Sequence, residues 1–491
     1  MYSRPSGQRH VRLQTKEKGS ITVFLSLSLM IILSLVLALF QGARIGAVRM
    51  KTECVADIAT NSVLAEYSRQ LYEQYGLLMV DSSYGLDSHT IHNSQERLKH
   101  YVQKNFERSL YGRASNAQTL TAMYCKDARI SGYSLATDNE GAPLERQILA
   151  YMSAEPVGAL MSDVLENVGS LEGSGFNSTN VDEMANENQE TIDSIELPKV
   201  KNEDGEEETI AIGNPADAVN SQRGLSVLGL AVKDRSRISM ARIDGAAYAS
   251  KRTLQKGTGL DDKDSVSDGE KILLDRYYYE KCSRYGHELE KAVLKYQLEY
   301  LIFGQDSDYA NLEKMAQTLL FWRQASNLMY LLSCGPKMQE AELMATALSA
   351  VILCPELMEP IKYSIIFAWT FAESISDLRI LFEGGRVPLF KSDATWNLGL
   401  FEMFDFRGNY KKADCGEGLY YEDYLRMKAF MTSGKEKLSH MMDVIEMDVR
   451  NTMGNSCFRM DDCIDVMRAD ITVGTRFGYE AHIERIFGYE R

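Results

Sequence analysis

The chain passes from a basic, polar tail into an uncharged apolar stretch, Ser20 to Phe40 (SITVFLSLSLMIILSLVLALF). About 20 apolar residues, each rising about 1.5 Å, match the hydrocarbon thickness of a bilayer, so a transmembrane helix is expected over 19–41. The hydroxyls within it (Ser20, Thr22, Ser26, Ser28, Ser34) can bond back to the helix's own carbonyls. Apolar spacing of four continues through Val55, Ala59, Val63, Tyr67 and Leu71, and no proline falls between 20 and 75. The pattern predicts one long helix, half in lipid and half projecting from it.

Gly76 and the cluster Asp81-Ser82-Ser83-Tyr84-Gly85 predict its end. A second helix is expected from Ser94 to Leu110. A strand region follows from Thr119 to Leu135, closed by the turn residues Thr137 to Gly141. Another helix is expected from Pro143 to Val168. Together these make residues 42–170 a membrane-proximal α+β region. Residues 171–210 hold twelve acids and two lysines with few large apolar groups, so 171–212 reads as an acidic linker or loop.

Helical periodicity dominates a domain over 213–455. Leu312, Met315, Leu319, Trp322, Ser326 and Met329 mark one helical face. The apolar stretches Leu343–Cys354 and Ile361–Ala372 are too short to span a bilayer and predict a buried helical hairpin. A further helix is expected over Tyr420 to Arg450. Ile464, Val466, Ile471 and Val473 alternate like a strand within a C-terminal segment, 456–491, which is expected to pair with the strand near Ile130. The fold class is therefore mainly α with a small β contribution (α+β).

Charge orients and restricts this picture. The net charge of −15 over 491 residues argues against nucleic acid as a partner, since phosphate contacts need clustered Lys and Arg. Arg4, Arg9, Arg12, Lys16 and Lys18 precede the apolar segment, against Arg44, Arg49 and Lys51 just beyond it. That bias predicts a cytoplasmic tail over 1–18 and an extracytoplasmic bulk. The long apolar run and the sequence Leu39-Phe40-Gln41-Gly42-Ala43 favour a retained anchor over a cleaved signal peptide. Gly42 and Gly46 form a G-x-x-x-G step, read as small residues at the membrane exit before helix pairing. The eight cysteines contain no C-x-x-C pair. Cys457 and Cys463 are close enough to bridge, but isolated buried thiols are expected.

Candidate chemistry is sparse. Asp81, Ser82 and Ser83 open a D-x-S-x-S-like pattern that fails at Gly85, and read as a turn. His89 and His92 stand three apart without a third ligand, so no metal is expected. Glu373 and Asp377 are four apart on a predicted helix. Such a pair can do acid/base work, or can be neutralised by the nearby Arg379, which is the favoured reading. Gly384-Gly385-Arg386 is a helix stop, and Tyr277–279 with Tyr420–421 are the rim of a core. There is no nucleophile elbow, phosphate loop or H-E-x-x-H. No catalytic, cofactor-binding or metal-ligating residue is therefore assigned.

Lys18-Gly19-Ser20-Ile21-Thr22-Val23-Phe24, the apolar helix, Gly42-Ala43-Arg44 and Ala56-Asp57-Ile58-Ala59 resemble TadE/TadG-like proteins of tight-adherence (Flp-type) pilus systems. The chain also resembles a clostridial-type family of unknown function encoded near such pilus genes. That likeness runs through Leu71–Leu77, Leu298-Glu299-Tyr300 with Gly304, Trp369 with Glu373 and Asp377, and Tyr421–Leu425. The resemblance implies an envelope protein that helps assemble or anchor pili, with protein partners and no enzyme activity. Processed pilins carry Glu five residues after the cleaved Gly. Here the fifth residue after Gly19 is Phe24, which implies an uncut anchor.

Overall fold

The computed structural model describes residues 17–106, 122–153, 160–201, 207–209, 214, 216–232, 234–260, 268–404 and 414–489. In chain order the helices are α1 (Glu17–Leu64), α2 (Arg69–Tyr75), α3 (His92–Phe106), α4 (Ala142–Ser153), α5 (Leu160–Gly173), α6 (Val181–Ser194), α7 (Asp217–Asn220), α8 (Val227–Ala231), α9 (Asp268–Lys281), α10 (Gln297–Phe303), α11 (Asp308–Ser333), α12 (Gly335–Ile352), α13 (Met358–Phe382), α14 (Tyr421–Met431) and α15 (Gly434–Arg450). The strands are β1 (Val80–Asp81), β2 (Met123–Leu135), β3 (Lys199–Lys201), β4 (Glu207–Thr209), β5 (Cys463–Thr475) and β6 (Glu480–Gly488). The chain is mainly helical with a small antiparallel sheet, as its patterning predicts.

Helix α1 runs unbroken for 48 residues, about 70 Å. Its first half exposes its large apolar side chains and is long and apolar enough to cross a membrane. Ser26 donates to the Val23 carbonyl (2.9 Å) and Ser34 to that of Ile31 (2.8 Å). In its outer half Val48, Val55, Ala56, Ala59 and Val63 are buried. The predicted single helix to residue 75 is corrected here. The chain turns after Leu64, Ser68 N donates to Met79 O (2.8 Å), and the Ser68 hydroxyl caps α2. A tertiary contact, not a proline, makes this break. Gly76 then closes α2 at φ +72°.

β5 is the central strand of the larger sheet. β2 lies antiparallel along one edge, and β1 and β6 pair in turn along the other. Ile130 stands opposite Ala469, so the C-terminal segment does pair with the strand near Ile130. One sheet face packs Ile130, Met467, Ala469, Ile471 and Val473 against α1 and α3. The other is polar, with ion pairs Lys126–Glu480 (2.5 Å) and Arg468–Glu484 (3.2 Å), the alternation expected of a half-covered antiparallel sheet. The A-D-x-A stretch gains a physical meaning. Ala56 and Ala59 let α1 lie close on the sheet, while Asp57 pairs with Arg485 of β6 (2.9 Å).

The second, larger core is helical. Every residue of α13 from Ser364 to Phe382 is buried, with α6, α8, α11 and α12 packed around it. A helix apolar nearly all round belongs at the centre. Its hairpin partner does not: α12 buries Ala341, Ala345 and Ile352 but exposes Leu343 and Val351, so only one arm of the predicted hairpin is buried. On α11 the predicted face is buried from Leu312 to Ser326, whereas Met329 is exposed.

The acidic linker over 171–212 also needs correction. It contains α6, capped by Asn180 Oδ1 accepting from Glu183 N (3.2 Å). Leu171, Phe176, Val181 and Ile192 are buried, and Asn188 donates to Pro360 O (2.9 Å). The acids crowd the outward face while a sparse apolar stripe meets α13. Residues 202–206 and 210–212 of that stretch lie outside the described residues. The helix expected over 143–168 is seen as α4 and α5, with 154–159 outside the described residues. The helix expected over 420–450 is two, α14 and α15, broken at Thr432-Ser433.

Candidate functional site

Glu373 and Asp377 sit one turn apart on α13, both fully buried. The predicted partner, Arg379, is not theirs. Two residues further round the helix, it faces away and donates from Nε to Leu230 O (3.0 Å). The cations are Lys391 and Arg323, distant in sequence. Lys391 Nζ donates to Glu373 Oε1 (2.8 Å), Asp377 Oδ1 (2.6 Å) and Thr395 O (2.9 Å), using its three protons. Arg323 Nε donates to Asp377 Oδ2 (3.0 Å), and Asn327 Nδ2 to the same oxygen (3.1 Å). The backbone N–H groups of Asn397 (3.0 Å) and Leu398 (2.9 Å) complete Glu373.

Two carboxylates thus balance one ammonium and one guanidinium in an interior closed to solvent. Burial alone would raise the Asp377 carboxyl, but Lys391 and Arg323 outweigh it and hold it below its ordinary value. Burial would lower the Lys391 ammonium, and Asp377 with Glu373 outweigh it and raise it. Arg323 also clamps the Pro388 carbonyl (2.7 Å) and meets the Tyr424 hydroxyl (3.4 Å). Every carboxylate oxygen is engaged, which is the arrangement of a structural tie.

The other motif residues converge in the same way. Tyr421 donates to Glu299 Oε1 (2.8 Å), Tyr300 to Asp443 (2.7 Å) and Tyr75 to Asp448 (2.6 Å). Gly304, at φ +59°, ends α10 so tightly that a Cβ there would meet the His440 ring at 2.6 Å. α15 supplies Asp443, Glu446 and Asp448, all buried, so it is a polar spine as well as a core helix. Among the described residues no cation pairs with Glu299, and burial pushes its carboxyl up to about 7. Above it opens a cleft of about 510 Å³ walled by Tyr285, Tyr296, Phe382, Tyr421 and Glu422. Glu422 is engaged by Arg284 (3.2 Å) and the Tyr279 hydroxyl.

The remaining candidates disperse. Asp81 Oδ1 accepts from Ser83 N (2.9 Å), forming the expected turn. His89 contacts Asp462 (2.5 Å), while His92 is exposed at the start of α3. Cys457 and Cys463 are separate thiols. Among the described residues no group of three His, Cys, Asp or Glu is placed to hold a metal. Sequence reasoning missed Lys391, Arg323 and the α15 carboxylates. Their only signal is a charge inside an apolar run, as at Arg323 between Trp322 and Ala325.

These features define a mainly helical protein with one membrane-length N-terminal helix and a head tied by buried charges. The chain belongs to a family of unknown function (DUF5702), whose pattern matches residues 201–475, more than half of its length. That match covers the charged centre and ends with β5. No curated protein and no solved structure matches the chain.

Proposed function

We propose that the protein is a non-enzymatic, single-pass membrane protein, its N-terminus cytoplasmic and its bulk extracytoplasmic, that helps assemble or anchor a tight-adherence (Flp-type) pilus or a related secretion system. The observation that carries this reading is the continuity of α1. One rod passes from an exposed apolar half into a half built into the sheet's core, so the head's position follows the anchor. The lipid bilayer around 20–40 and proteins beside it are the partners; nucleic acid is not. The TadE/TadG-like segments at Lys18–Phe24 and Ala56–Ala59 support the pilus assignment, and the five-to-three charge bias supports the orientation.

The test is cross-linking in intact cells, detergent purification of the full-length protein and mass spectrometry of what accompanies it. Pilus platform proteins or pilins are the expected catch. Recovery of the protein alone would overturn the assembly role. The alternative, a tethered enzyme or ligand sensor using Glu373, Asp377 and Arg379, is disfavoured because both carboxylates are buried with every oxygen engaged and Arg379 faces away from them. The cleft of about 510 Å³ beside Tyr285 and Tyr421 is a place where such a ligand could enter.

A further inference from the structure

We propose that the β5–β6 hairpin tip docks on the membrane, seating the head on the lipid headgroup layer beside the anchor. This inference rests on the anchoring reading above and adds a second contact with the bilayer.

The contacts of β6 and its flanking residues with α1 set the geometry. Phe477 lies under the Arg44 guanidinium (3.6 Å to the ring centre), and Tyr479 accepts from Arg49 Nε (2.8 Å). Arg485 meets Asp57 (2.9 Å), and the Tyr489 hydroxyl meets the Leu64 carbonyl. The partners ascend together, so β6 runs alongside α1 and the hairpin tip is the end nearest the spanning segment. Arg44 is four residues past Phe40, about 6 Å along the axis. The headgroup layer of one leaflet is about 5–8 Å thick, so Arg44 stands within it. Helical side chains lean toward the helix N-terminus, here toward the bilayer. Phe477 therefore sits at that depth.

The tip is built for such a place. Thr475 N donates to Tyr479 O (3.0 Å), and the Thr475 hydroxyl accepts from Tyr479 N (3.0 Å). Gly478 takes φ +82°, closing a tight loop. The Phe477 and Tyr479 rings lie nearly parallel, centres 6.3 Å apart. Tyr479, an apolar ring with a polar hydroxyl, is of the kind that favours this interface, and Phe477 adds apolar surface beside it. Residues 42–52 and 475–479 carry Arg44, Arg49, Lys51 and Arg476 and no acid, within a chain of net charge −15. Arg476 is exposed at the tip. That chemistry fits an anionic phospholipid surface.

The full-length protein, in vesicles of phosphatidylglycerol and phosphatidylcholine, tests this by site-specific photo-cross-linking. The substitution Phe477→p-benzoylphenylalanine is compared with the same probe at Phe40, inside the spanning segment. A third probe replaces Met453, fully exposed and near the far end of β5. Lipid adducts at 477 approaching those at 40, and at least about tenfold above those at 453, are expected. Arg476 carries the probe in a further variant that leaves the aromatic pair intact, and the same excess is expected there. Adducts at 40 with only the 453 background at 476 and 477 would overturn the docking and leave the anchor standing. Adducts at 477 to a second copy of the chain would overturn it in favour of a protein interface. Absence of adducts at 40 as well would overturn the anchor reading, and the docking with it.

Discussion

At the residue scale the molecule depends on buried charges whose partners are complete. Lys391 and Arg323 together neutralise Glu373 and Asp377 where water cannot, so Lys391→Met leaves a carboxylate buried without its cation. Breaking one side of such a pair costs about 3–5 kcal/mol. Chemical denaturation should show that loss, and Lys391→Met with Glu373→Gln should recover part of it. A double variant no more stable than Lys391→Met alone would sink the pairing. Glu299 makes the opposite case, a carboxyl raised by burial from 4.5 to about 7. Between those values the folded state holds a proton that the unfolded chain has released, so stability falls as pH rises through that window. Glu299→Gln has no proton to lose. Relative to wild type it should therefore gain about 3 kcal/mol between pH 4.5 and 7, then level off. Melting temperatures across that range measure it, and parallel curves for the two proteins would refute it. The sequence makes Glu373 and Asp377 visible because acids interrupt an apolar run. It hides Lys391 and Arg323, which reach them only after α11, α13 and the loop beyond α13 have packed.

At the scale of elements, backbone geometry separates glycines that matter from those that do not. Gly304 ends α10 in the left-handed region against the His440 ring. Gly304→Ala should destabilise by at least about 1–2 kcal/mol, since an L side chain is strained there before it meets the ring. Gly46 faces open space within a helix, so Gly46→Ala should be neutral or slightly stabilising. Thermal melts compare the two. A marked loss at Gly46, in stability or in recovered partners, would mean that its face is a helix contact. Periodicity reveals elements where burial is one-sided or complete, as in the apolar half of α1, the exposed-and-buried alternation of β2 and the core of α13. It fails at α6, whose acids mask Val181 and Ile192, and at the Ser68 turn, which depends on Met79. Neither case carries a local signal strong enough to oppose its composition.

At the scale of the whole molecule, the sheet core around α1 and the helical core around α13 must behave as one body if position is to pass from anchor to head. The ties between them are polar. Arg252 donates from both terminal nitrogens to Glu446 of α15 (2.7 and 2.6 Å) and also binds Asp461, which leads into β5. Asp465 of β5 accepts from Arg146 (2.8 Å) and Gln147 (2.7 Å) of α4. A forked guanidinium shared by two carboxylates fixes direction as well as distance, which apolar contact alone does not. All three tryptophans, Trp322, Trp369 and Trp396, pack in the helical core, so their fluorescence reports only that half. In wild type the fluorescence and far-ultraviolet dichroism transitions should coincide on heating, because the two cores unfold together. Arg252→Met keeps the length of the side chain but removes the cation that Glu446 and Asp461 share, leaving Glu446 with Arg450 alone (2.8 Å). The dichroism transition should then begin several degrees before the fluorescence transition, as the sheet core separates from a helical core that is still folded. Transitions that stay superimposed, with an unchanged midpoint, would mean that the cores are joined by apolar packing and that Arg252 transmits nothing.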